Sequence, residues 1–141
     1  MILIPQQLWQ VLRTNAVLRE MHLARAWAAP DPAPLIKLFN PCGAATWLAT
    51  ELDRDGDTLF GLADLGFGCP ELGTFSLREL ADIRLPFGLV IERDLGFASD
   101  QPLSRWAERA GALGSIMAAE AAFRTSTDSS QLPTAPDEGG G

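Results

Sequence analysis

The middle of the chain shows the clearest hydrophobic pattern. Across residues 45–52 the side chains alternate between two sets, which is the period of a half-buried β-strand. The residues that follow interrupt this alternation, and the Asp55-Gly56 pair is typical of a hairpin turn because both residues tolerate positive φ. A second strand is predicted over 58–67. The pattern therefore predicts a β-hairpin at the centre of the protein.

A two-residue turn would fix which residues of the two strands lie opposite each other. It places Glu51 opposite Phe60 and Trp47 opposite Asp64. One face of this hairpin then has the character of a core: Thr46, Leu48, Thr50, Leu52, Leu59, Ala63, Leu65 and Phe67. The other face mixes aromatic, apolar and acidic residues: Trp47, Ala49, Glu51, Asp53, Thr58, Phe60, Leu62 and Asp64. A slip of one residue would exchange the two faces.

The flanking segments alternate between helix and strand. We predict an N-terminal helix over 5–28, or two short helices that divide near Asn15, ended by a proline-rich stretch. A short strand over 35–39 follows. Ser76 and Glu79 form a capping box that starts a short helix ending near Ile83. A strand over 89–93 follows.

The C-terminal part of the chain is predicted to hold one further helix and a tail. Asp100 or Ser99 is expected to cap the helix, which has Pro102 in its first turn and carries apolar residues as far as Met117. Gly111 and Gly114 weaken its middle. Residues 125–141 are rich in Ser, Thr, Pro, Asp and Gly and are predicted to be a disordered tail. The expected fold is α+β: a small antiparallel sheet, formed by a meander of three strands plus one later strand, packed against N- and C-terminal helices in a single domain over 1–124.

Composition narrows the function classes. The 141 residues carry 18 acidic and 11 basic side chains, a net charge of −7. Direct binding to nucleic acid through a basic face is therefore not expected, because phosphate neutralisation needs clustered Lys and Arg. No segment reads as a secretory signal or a membrane span, so we expect a cytoplasmic protein without a membrane partner.

Several blocks of the sequence resemble one bacterial domain-of-unknown-function family, whose members tend to be encoded on plasmids, integrated conjugative elements and other mobile DNA. These blocks cover roughly the first hundred residues. They are Met1-Ile2-Leu3-Ile4-Pro5, Lys37-Leu38-Phe39-Asn40-Pro41, Gly43-Ala44-Ala45-Thr46-Trp47-Leu48, Thr50-Glu51-Leu52-Asp53, Leu59 to Gly73 and Ile91-Glu92-Arg93-Asp94-Leu95. The resemblance implies no activity, cofactor or catalytic residue.

The second hairpin face offers a candidate binding face made of Trp47, Glu51, Phe60, Asp64 and Glu71. Aromatic residues rimmed by acids suit a protein interface, and the alternative is that a terminal helix simply covers them. The carboxylates Glu51, Asp64, Glu71, Glu92 and Asp94 could also converge and hold a divalent cation, or they could be solvated partners of nearby arginines.

Other chemistry has little support in the sequence. His22 is the only histidine, and together with Cys42 and Cys69 it gives no credible zinc ligand set. No phosphate-binding loop is present, so neither a cofactor nor a metal is predicted. We expect an accessory protein of a mobile element that is not an enzyme and acts through contacts with another protein. A sharper form of this expectation is an inhibitor of a host nucleic-acid-binding defence system. The alternative is a divalent-cation-dependent enzyme or ligand-binding domain, and the oligomeric state stays open.

Overall fold

A computed structural model describes residues 3–131 of the chain, with side chains described up to residue 126. The helices are α1 (Gln6–Ala24), α2 (Leu77–Asp82), α3 (Leu103–Leu113) and α4 (Ile116–Gln131), with a 3₁₀ turn at Pro86–Gly88. The strands are β1 (Ile36–Phe39), β2 (Thr46–Leu52), β3 (Thr58–Asp64), β4 (Glu71–Ser76) and β5 (Glu92–Arg93). Within the described residues no helix has the length and apolarity needed to cross a lipid bilayer.

The five strands form one antiparallel sheet in the order β4-β3-β2-β1-β5. The predicted α+β class is therefore confirmed, and the hairpin between β2 and β3 is present. The sheet holds one strand more than the predicted four, because 71–76 pairs with β3 as an edge strand. Its sequence, with a glycine in the middle and mostly exposed side chains, carries no alternation that would identify it.

A β-bulge changes the hairpin register halfway along β2. Glu51 lies opposite Phe60 as predicted, but the register shifts between Ala49 and Glu51. Trp47 therefore lies opposite Ala63, and the prediction that it lies opposite Asp64 is wrong. One extra residue in a strand moves every side chain beyond it to the other face, which is why the predicted faces fail.

The sheet is covered on both sides, and β2 is buried along its whole length. On one side, Trp47, Ala49, Leu52 and Leu59 pack with Leu12 of α1 in the larger core cluster. On the other, Leu48 and Leu62 pack with five residues of α3 and α4, namely Leu103, Trp106, Ala110, Ile116 and Ala119. The predicted core face is thus divided between two clusters. Alternation has little meaning in a strand that is buried on both faces.

Helix α1 also closes a free edge of β2. Strand β1 pairs with β2 only as far as Ala49, so the later carbonyls of β2 lack a strand partner. Side chains of α1 replace it: Asn15 donates to the Thr50 carbonyl at 3.0 Å, and Arg13 donates to the Leu52 carbonyl at 2.6 Å. A buried backbone carbonyl without a partner is costly, so these bonds hold α1 against the sheet.

The shorter elements follow local sequence signals. Ser76 caps α2, since its Oγ accepts from the Glu79 N–H at 3.1 Å. The predicted single C-terminal helix is wrong: α3 ends at Gly114, whose φ of 89° lies in the left-handed region, and α4 begins two residues later. Helix α4 reaches Gln131, so the predicted tail begins within this helix, and residues 132–141 of it lie outside the described residues.

Candidate functional site

The structure distributes the five predicted face residues over four places. Trp47 is buried in the core cluster on the α1 side, so a helix covers it. Glu51 and Phe60 are cross-strand neighbours on the α3 side. Asp64 is buried at the far end of the hairpin, and Glu71 is exposed at the start of β4. Only Glu51 and Phe60 come together.

Arg19 of α1 covers the pair formed by Glu51 and Phe60. Its Nε donates to Glu51 Oε1 at 2.8 Å, and its guanidinium carbon lies 5.5 Å from the centre of the Phe60 ring. Two small cavities, of about 240 and 230 Å³, flank this contact. Glu51 is buried, so the ion pair holds α1 against the sheet. Replacing only Arg19 would leave the Glu51 carboxylate buried without its partner and would lower the stability of the fold.

Asp64 has a structural contact at each oxygen. Its Oδ1 accepts from the Gly66 N–H and its Oδ2 accepts from the Ile116 N–H, both at 2.9 Å. The second bond caps the start of α4, where unpaired N–H groups favour a carboxyl oxygen. Asp64 therefore fixes the loop after β3 and the first turn of α4 relative to each other.

The strand ends near Asp64 gather several connecting segments at one end of the sheet. Phe39, Thr46 and Asp64 are successive cross-strand neighbours, so the loops 40–45 and 65–70 emerge side by side. The two loops lie close together, because a Cβ added to Gly66 would come within 3.4 Å of the Ala44 Cβ. Both free cysteines, Cys42 and Cys69, are exposed on these loops.

Large apolar side chains are exposed in the loop 65–70 and in a cleft that adjoins the loop 40–45. The exposed fractions are 58% for Leu65, 84% for Phe67, 80% for Leu95 and 56% for Met117. Leu95 and Met117 line one cleft of about 470 Å³ with Pro41. We call the four apolar residues together with the loops 40–45 and 65–70 the loop end.

A charged cluster beneath the cleft holds its walls in place. Lys37 has only 13% of its side chain exposed, and its Nζ lies 2.7 Å from Glu120 Oε1 and 3.3 Å from Asp94 Oδ2. Lys37 belongs to β1, Asp94 follows β5, and Glu120 lies on α4, so the cluster joins three elements. Together with Asp64 it sets the position of α4 and hence of Met117.

Sequence reasoning missed the loop end because it placed its residues in regular elements. Leu65 and Phe67 were expected on the core face of a strand that continues to 67, but β3 ends at Asp64. Gly66 and Gly68 were the available signal, since both adopt positive φ, 92° and 85°, which a regular strand does not accommodate. Met117 was expected on the buried stripe of one long helix.

The described residues include His, Cys, Asp and Glu side chains, the types that ligate metal ions. Among them, no group of three or more His, Cys, Asp or Glu side chains is placed to hold a metal ion. His22 contacts the Ala28 carbonyl at 3.1 Å and the edge of Trp27, a local packing role on α1. The carboxylates of Glu51, Asp64 and Glu71 stand apart, so they form no acid–base pair with one another.

Comparison of the chain with curated proteins and with solved structures finds no match. A family model described as "Protein of unknown function (DUF2958)" matches residues 3–117. This range runs from the entrance to α1 to the first turn of α4, so it contains the whole sheet and the loop end. The chain belongs to the DUF2958 family of proteins of unknown function.

Proposed function

We propose that this protein is a non-enzymatic binding module that contacts another protein through its loop end. The observation that carries the proposal is the exposure of Leu65 and Phe67 in the loop 65–70 and of Leu95 and Met117 in the cleft beside the loop 40–45. Large apolar side chains grouped on a surface mark interaction sites more often than isolated ones do. Burying such a side chain completely stabilises a complex by about 1.5–3 kcal/mol, so even partial cover of four would support specific binding.

The charge of the surrounding surface indicates what the partner presents. Glu71 and Glu92 lie beside the loop end, and residues 51–94 carry ten acidic and four basic side chains. The partner is therefore expected to place an apolar side chain at the loop end and Lys or Arg around it. Opposite charges of this kind raise the association rate more than the final affinity.

The family resemblance and the acidity together suggest a more specific role. As an accessory protein of a mobile element in the bacterial cytoplasm, the module would bind a host nucleic-acid-binding defence protein and block its basic surface. What supports this role is the net charge of −7 and its concentration in the sheet region. The alternative of a divalent-cation-dependent site has no carboxylate cluster among the described residues to support it.

A pull-down with a matched pair of variants tests the proposal. Phe67→Asp places a charge at the centre of the loop end, whereas Phe87→Asp changes a phenylalanine that is 97% exposed in the 3₁₀ turn. Loss of an aromatic anchor costs about 2 kcal/mol or more, so the first variant should bind its stoichiometric bacterial partner about thirtyfold more weakly. The second should bind normally. Equal retention of a partner by both variants, or no stoichiometric partner at low salt, would exclude the loop end.

A further inference from the structure

Strand β4 leaves one edge of the sheet without a partner. The Leu77 N–H donates to the Asp57 carbonyl, so the backbone groups of Leu77 point towards the chain of β3. Every second residue of a strand points the same way, so the backbone groups of Phe75 and Gly73 also point towards β3. The N–H and C=O groups of Leu72 and Thr74 then point away from the sheet. Within residues 3–131 no strand or loop bonds to them.

The usual protections of an edge strand are missing from β4. It contains no lysine, no proline and no bulge, and its single charged residue, Glu71, stands at its first position. Leu72 is exposed, and a Cβ on Gly73 would meet nothing within 4 Å. The other edge of the sheet, β5, has only two residues. An exposed and unprotected edge is a template for the addition of another strand.

A cavity beside β4 indicates the charge of the added strand. Thr74 lines the cavity of about 240 Å³ together with Glu20, Glu51, Asp53 and one cation, Arg19. Even with Arg54, which pairs with Glu20 at 3.2 Å, carboxylates are in excess. A second copy of the chain would bring the same negative charges to this edge. A basic segment would be attracted.

We propose that the β4 edge accepts an extended, basic segment of a partner protein as a sixth strand of the sheet. The residue of that segment opposite Thr74 projects on the same face as Thr74, because paired residues share a face. A Lys or Arg at this position lies on the same side of the sheet as the exposed carboxylate of Asp53, whereas Glu51 is already paired with Arg19. This surface is separate from the loop end, and the inference does not depend on the proposed function.

Amide NMR with two model peptides tests the inference. The probe is acetyl-Val-Arg-Val-Arg-Val-Arg-amide, and its counterpart replaces every Arg with Glu. The basic peptide should shift the amide signals of Leu72 and Thr74 with a saturable dependence on concentration. The acidic peptide should bind at least about tenfold more weakly. Equal binding of both peptides, or no saturable shift at millimolar concentration, would overturn the inference.

Two variants separate edge pairing from general attraction. Thr74→Pro removes an N–H that points outward and leaves the bonds to β3 in place, and prolines are tolerated at such edge positions. It should abolish the shifts, while Thr74→Val should retain them. Asp53→Asn changes an exposed side chain and should weaken basic-peptide binding severalfold, which keeps the test valid if Thr74→Pro does not fold. Unchanged peptide binding by the folded Thr74→Pro variant would contradict the inference. So would a dimer of the wild-type protein that Thr74→Pro dissociates, because the edge would then be occupied by a second copy of the chain.

Discussion

Replacement of Asp64 by alanine tests how the loop end is held in place. The side chain is fully buried and accepts from Gly66 in the β3–β4 loop and from Ile116 at the start of α4. Alanine leaves both N–H groups without an acceptor. The Ile116 N–H is the more damaging loss because that bond is buried and belongs to the first turn of a helix.

The size of the effect follows from these two bonds. The buried Ile116 N–H left without a partner costs about 1–3 kcal/mol, and the Gly66 N–H, whose bond is partly buried, adds a smaller loss. Asp64→Ala should therefore lower the free energy of unfolding by about 2–4 kcal/mol, a large fraction of the stability of a domain of this size. Asp64→Asn keeps one acceptor oxygen and should cost about half as much.

Urea unfolding followed by circular dichroism measures this difference. Asp100→Ala is the matched control, because Asp100 is exposed and forms no side-chain hydrogen bond among the described residues. The control should change the unfolding free energy by less than about 0.5 kcal/mol. In amide exchange, Ile116 should lose protection only in the Asp64 variants. If Asp64→Ala cost no more than Asp100→Ala, the carboxyl group would not be what joins the loop to α4.

Two further predictions concern the hairpin. A Cβ on Gly61 would lie 1.7 Å from the Leu48 carbonyl oxygen, so Gly61→Ala should lower the free energy of unfolding in urea by about 2 kcal/mol or more. Gly73→Ala is the control, since a Cβ there meets open space, and it should change this free energy by less than about 1 kcal/mol. Equal effects of the two substitutions would contradict the close approach at the bulge. Hydrogen bonds lower the pKa of Asp55 to about 2, and the largest effect comes from the Thr58 side chain. The ionised Asp55 therefore stabilises the fold above about pH 4, and this contribution disappears as the pH falls towards 2. Unfolding curves of the wild type and Asp55→Asn should converge over this range, and a gap that stays constant would refute the assignment.

Local signals in the sequence predicted most of the elements but not the register of the sheet. The turn between β2 and β3 and the Ser76 cap depend on interactions between near neighbours, and both are present. The turn is longer than the predicted two residues, because the Gly56 N–H donates to the Asp53 carbonyl and only Gly56 of the Asp55-Gly56 pair has positive φ. The bulge at Thr50 depends on the whole sheet: one extra residue fits because α1 bonds to the carbonyl it exposes. Hydrophobic alternation contains no information about such a shift when both faces of a strand are buried.

The candidate site was harder to predict for a related reason. Apolar residues in a sequence are ordinarily assigned to the core, so Leu65, Phe67 and Met117 were expected to be buried. Their exposure follows from where β3 ends and where the C-terminal helix breaks, at Gly114. Neither position is set by hydrophobicity, because both depend on glycines in the left-handed region.

Photocrosslinking at the loop end tests the central proposal most directly. p-Benzoylphenylalanine is placed at Phe67 in one variant and at Phe87 in another, and each is irradiated in bacterial cells and in mixtures with the purified partner. A binding module that uses the loop end should yield one defined covalent product from position 67 and none from position 87. In the purified mixture this product should form more slowly at high salt, because the charge attraction is screened. The same product from both positions, or from position 87 alone, would contradict the account.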